Sequence, residues 1–124
     1  MWRAYALHFI NLLNIEIMAN MIKLPFEDGG DLALNVDGAY DVTLTNNDQL
    51  DIDYSIAGWT AGEHVQVQLT FTNATLTEGD SNTLLATIKK ASQAPNSQPT
   101  FQPLDSNGDL NTISKTNGIV IDED

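Results

Sequence analysis

From Leu32 to Phe71, apolar residues occupy every second position of four successive stretches, with polar residues between them. Leu32, Leu34 and Val36 form the first set, and Tyr40, Val42 and Leu44 the second. Leu50, Ile52, Tyr54 and Ile56 follow, then Val65, Val67, Leu69 and Phe71. A helix would scatter these side chains around its axis. A strand places them all on one face, with the intervening polar residues on the other. The chain is therefore read as all-β.

Turn-forming residues separate the sets: Asp37-Gly38, Asn46-Asn47-Asp48, Gly58 and Gly62, Glu78-Gly79-Asp80, Asn107-Gly108 and Asn117-Gly118. Strands are expected near 21–26, 31–36, 39–45, 49–57, 64–73, 83–90, 99–104 and 111–121. Short strands at this spacing predict an antiparallel β-sandwich, immunoglobulin-like or jelly-roll-like. Ala91 to Gln102, with Pro95 and Pro99, reads as a flexible or extended connection.

Parity adds a topology. Directly opposed residues of an antiparallel pair share a face, so their numbers sum to a constant. Leu44 then pairs with Leu50, Val42 with Ile52 and Tyr40 with Tyr54, and 31–57 becomes a three-stranded meander. Across Gly58 to Glu63 the apolar phase passes from even to odd numbers. That shift is expected to mark a crossover to a second sheet. The same parity sends Asp51, Asp53 and His64 to the solvent face and both tyrosines to the core.

The first twenty residues are different in kind. On a helical wheel Trp2, Tyr5, Ala6, Phe9, Leu13 and Ile17 share a face opposite Arg3, His8, Asn11 and Asn14. The polar residues interrupt any continuous apolar stretch, which argues against both a cleaved signal and a membrane span. The domain organisation expected is an amphipathic arm over 1–20 and a β-sandwich over 21–124. Trp2, Tyr5, Phe9, Leu13 and Ile17 are its candidate partner-binding residues.

Seventeen Asp and Glu against five Lys and Arg give a net charge of −12. Such a surface repels phosphate backbones and anionic membranes, so nucleic acid is not an expected partner. The cysteine count is zero, which removes thiol nucleophiles, thiolate metal sites and disulfides.

Few residues suggest chemistry. Asp51 and Asp53 are paired carboxylates on one strand face, but paired carboxylates act in a cleft, and none is indicated. His64 lacks a second ligand or a nucleophile beside it. Asp105, Asn107 and Asp109 place oxygens at alternate positions, as a calcium loop opens. Leu110 then stands where that loop needs glycine and Thr116 where it needs a bidentate Glu. These three are candidate metal ligands, and calcium the one cofactor considered. Trp59, in a loop bracketed by Gly58 and Gly62, is a candidate sugar-stacking ring.

With a compact β domain, an apolar terminal arm, few lysines and no catalytic set, the chain is similar in general style to small virion proteins of bacterial viruses. That resemblance implies a non-enzymatic structural subunit, such as a capsid decoration, minor capsid or tail-associated protein. Its expected partners are protein subunits in a homo- or hetero-oligomer, and its expected location is virion or extracellular. The alternative is a secreted carbohydrate-binding or adhesion module, with calcium as its candidate assisting ion.

Overall fold

The computed structural model describes residues 20–55, 63–94 and 96–122. The arm residues Trp2, Tyr5, Phe9, Leu13 and Ile17 lie outside them, as do Ile56 and Trp59. The described chain is mostly β: two antiparallel sheets and one helix. Strands β1 (Met21–Pro25) and β2 (Asp31–Asn35) form a two-stranded sheet, with Ile22 opposite Leu34 and Leu24 opposite Leu32. Strands β3 (Ala39–Asn46), β4 (Gln49–Tyr54), β5 (Glu63–Phe71) and β6 (Ile113–Asp122) follow one another across a four-stranded sheet. Helix α1 (Glu78–Gln93) lies between β5 and β6 in sequence and packs against β3 and β1.

The apolar sets meet in one core. Ile22 and Leu24 of β1 join Val42, Leu50, Ile52, Tyr54, Leu69 and Phe71 of the larger sheet, with Leu84, Ile88 and Ala91 of α1 and Phe101. At roughly 1.5–3 kcal/mol for each large side chain removed from water, these residues supply most of the drive to fold.

Parity gave the β3–β4 register correctly where the ladder is regular: Leu44 faces Leu50 and Val42 faces Ile52. It fails at Tyr40. A bulge between Ala39 and Asp41 makes Ala39 the partner of Tyr54, and Tyr40 is left 54% exposed. One extra residue reverses the side on which its neighbour projects. Tyr54 is buried as expected, and its hydroxyl donates to the Asn35 carbonyl at 2.7 Å.

The expected meander over 31–57 does not form, because β2 pairs with β1 and not with β3. The change of sheet falls at Asp37-Gly38, where the chain turns so tightly that the Ala39 N–H bonds the Val36 carbonyl. Gly38 has φ +83°, and a Cβ there would lie 2.6 Å from the Ser55 carbonyl oxygen. Only glycine fits. The even-to-odd phase shift has another origin: β5 pairs with β4 in the same sheet, Ile52 opposite Val67 and Tyr54 opposite Val65. Numbers summing to an odd value exchange even for odd within one face, so the shift records an even-length hairpin connection and no crossover.

The strand expected at 83–90 is helical. Leu84, Ile88 and Ala91 recur at helical spacing and are buried, while Lys89 and Lys90 stay exposed. The helix begins at Thr77, whose N–H donates to the Asp80 carboxylate at 2.9 Å, and Glu78 and Asp80 suit the positive end of its dipole. Beyond α1, the expected extended segment at 99–104 contributes bridges only. Thr100 lies parallel to Lys23, and Leu104 pairs with Leu110.

Candidate functional site

Four surfaces carry polar or apolar groups that could serve a function. The outer face of the four-stranded sheet holds Asp51 and Asp53 on β4 and His64, Gln66 and Gln68 on β5. Period two placed them together, as expected, but the expectation that they are solvated is wrong for Asp51, which is 4% exposed. Its carboxylate accepts from Thr45 Oγ1, and from Gln49 Nε2 at 2.8 Å. Asp53 accepts from Gln66 Nε2 at 3.0 Å and lies 3.7 Å from His64 Nε2. Gln68 donates to Gln66 at 3.2 Å, and the Tyr40 ring meets the His64 ring edge-on at 6.5 Å. Donors from β3, β4 and β5 thus bond these carboxylates, which lets charge sit on a largely covered face.

The loop after Phe101 is built around Asp105. Its Oδ1 accepts from the Asn107 N–H at 2.8 Å and the Asp109 N–H at 3.0 Å. The Asp105 N–H in turn donates to the Asp109 carbonyl at 2.7 Å, and Gly108 takes φ +83°. This brings the three candidate ligands Asp105, Asn107 and Asp109 into one tight turn of the kind that Asp, Asn and Gly favour. Among the described residues no group of three His, Asp or Glu side chains converges as a metal site would require.

Beneath that loop, Asn111 is fully buried. It accepts from the Asn73 N–H and donates to the Asn73 carbonyl, both at 2.9 Å, as a neighbouring strand would. An open groove of about 540 Å³ is lined by Thr75, Thr77, Asp80, Thr83, Asp105 and Ser106 among others. The Thr75 hydroxyl is buried there without a hydrogen-bond partner. The groove leaves no local signal in the sequence, because its residues come from Thr75 and the start of α1 and from the 101–106 segment, which only the fold brings together.

The fourth surface is the outer edge of β6. Beyond Ile113, which bridges to Phe26, no described residue pairs with that edge. Val120 is 61% and Ile119 40% exposed, the one on one face of the strand and the other on the opposite face. The signal lay in the sequence as Ile119-Val120-Ile121, where alternation stops. Continuous apolar runs belong to strands covered on both faces.

Comparison of the chain with family models, curated proteins and solved structures finds no match. Among the described residues no helix is long and apolar enough to cross a membrane.

Proposed function

We propose that this chain is a non-enzymatic structural subunit of a larger protein assembly, the reading its geometry supports best. The observation that carries it is the exposed β-branched run on the β6 edge. Exposed apolar edge strands are templates for pairing with another chain, and folded proteins normally blunt them. The internally bonded carboxylates of the outer face point the same way. Asp51 is 4% exposed with both carboxylate oxygens hydrogen-bonded within the sheet, whereas a catalytic pair needs two carboxylates open toward substrate.

The shared core of β1, β2 and the larger sheet supports describing the two sheets as layers of a small sandwich. The most concrete form of the assembly is a virion shell or tail, with Trp2, Tyr5, Phe9, Leu13 and Ile17 as additional docking residues. Electron microscopy of native material, with the chain located by antibody label, tests the reading. Label on regular particles is the expected result; label only on free protein contradicts it.

One observation favours a second reading, a carbohydrate-binding module. The groove at Thr75 presents hydroxyls and two carboxylates, the groups that hydrogen-bond sugars, and the Asp105 turn forms its rim. Under this reading a glycan array retains the wild type and not Thr83→Trp, and millimolar calcium raises the melting temperature through Asp105, Asn107 and Asp109.

A further inference from the structure

The β6 edge has a specific self-complementarity, and we infer that its occupant is a second copy of the same chain, joined antiparallel about a two-fold axis at Ile119. An axis perpendicular to the sheet keeps every residue on its own face, so opposed numbers must sum to an even value. Centring on Ile119 sets Ile119 against itself, Gly118 against Val120 and Asn117 against Ile121. The exposed apolar side chains are then covered on both faces. Centring on Gly118 instead sets Ile121 against Lys115 and Val120 against Thr116, which wastes the apolar run.

Gly118 supports the same register. Its φ is not in the left-handed region, and a Cβ built on it would meet nothing within 4 Å. Within one chain nothing calls for glycine here, and a strand interior is weakened by it. In the pair, the space it leaves lies opposite the most exposed apolar side chain of the strand, Val120. The partner backbone can approach and the valine methyls fill the gap.

Charge agrees. Lys115 is the single cation of β6, and the acidic run Asp122-Glu123-Asp124 follows Ile121 in sequence. In the Ile119-centred register Asp122, the last residue of β6, falls opposite Thr116, so the acidic end of one strand lies alongside the Lys115 end of the other, and symmetry makes that match twice. Elsewhere two chains of charge −12 repel one another, so pairing strengthens as salt screens the long-range term. Two four-stranded sheets become one continuous sheet of eight.

This inference rests on the reading of the chain as an assembly subunit and deepens it. Because the chain has no cysteine, a single introduced thiol is unique. Opposed antiparallel positions lie about 4.5–5.5 Å apart at Cα, within disulfide range. The full chain carrying Ile119→Cys, oxidised with copper phenanthroline, is expected to run as a covalent dimer on a non-reducing gel. Lys115→Cys is expected to stay monomeric, since two copies of that position lie about 26 Å apart at ~3.3 Å per residue. Gly118→Phe added to Ile119→Cys should cut the crosslinked fraction several-fold, with the thermal melt unchanged. No dimer from Ile119→Cys, or equal dimer from both single variants, overturns the pairing. The assembly reading fails separately: a chain that crosslinks at 119 but never occurs in particles contradicts that reading alone.

Discussion

Strands β4 and β6 lie in the same sheet, yet one is finished and the other is not. On β4, Leu50 and Ile52 are fully buried on the inner face, while Asp51 and Asp53 on the outer face find donors in Thr45, Gln49 and Gln66. Each side chain has a use within the chain. On β6, alternation gives way to Ile119-Val120-Ile121, and Val120 projects into solvent with no described strand beyond it. The difference is that between a strand with neighbours on both edges and one with a neighbour on a single edge. A surface whose groups are satisfied internally holds the fold. A surface left apolar is what the proposed pairing would cover.

Substitutions can break this contrast, and the largest effect is expected on β4. Leu50→Ala should destabilise the protein by about 3–4 kcal/mol in urea denaturation, because it opens a cavity in a fully buried site. The inner end of the same strand should also respond to alkali. Burial, with the nearby Asp37 charge adding to it, pushes the Tyr54 hydroxyl up to about 12. The unfolded chain loses that proton from about pH 10, while the native state retains it until about 12. The native state then binds more protons, so stability falls as pH rises through that window, by up to about 1.4 kcal/mol per pH unit. Tyr54→Phe should flatten this slope in denaturation curves recorded from pH 9 to 12.

On the outer face of β4, Asp51→Ala strands Thr45 and Gln49 without their acceptor and should cost about 1–3 kcal/mol. At the start of α1, Asp80→Ala removes the acceptor of the Thr77 N–H and should cost about 1 kcal/mol by the same measurement. Val120→Lys should have the smallest effect, within about 0.5 kcal/mol in a monomer, because the side chain it replaces is mostly in water. A loss from Val120→Lys as large as that from Leu50→Ala would erase the distinction between the two strands.

How much of this was legible follows from what each signal encodes. Period two locates a strand and its faces, so β1 to β5 and the pairing of Leu44 with Leu50 and Val42 with Ile52 could be read. Period two does not encode the partner. For that reason β2 was assigned to β3 when it pairs with β1, and an even-length hairpin between β4 and β5 passed for a change of sheet. The bulge that turns Tyr40 outward leaves the apolar pattern untouched and so was silent.

Helix α1 was legible in principle. Thr77 and Asp80 form a capping pair before Leu84, Ile88 and Ala91, but the run Leu84-Leu85-Ala86-Thr87-Ile88 also suits a strand. Of the candidate sites, the Asp51–Asp53–His64 face was found by parity, although its internal bonding depends on side chains that three strands supply. The groove at Thr75 was not found, because it exists only once the start of α1 and the 101–106 segment are brought together.

The central claim is that the β6 edge is completed by a second copy of the chain. Sedimentation equilibrium of the wild type and Val120→Lys, over a range of concentration and salt, tests it most directly. The wild type should approach twice the 13.5 kDa chain mass, more readily at high salt, and Val120→Lys should remain at the single mass. A wild type that stays at the single mass throughout, or a Val120→Lys variant that associates as well as the wild type, would contradict it.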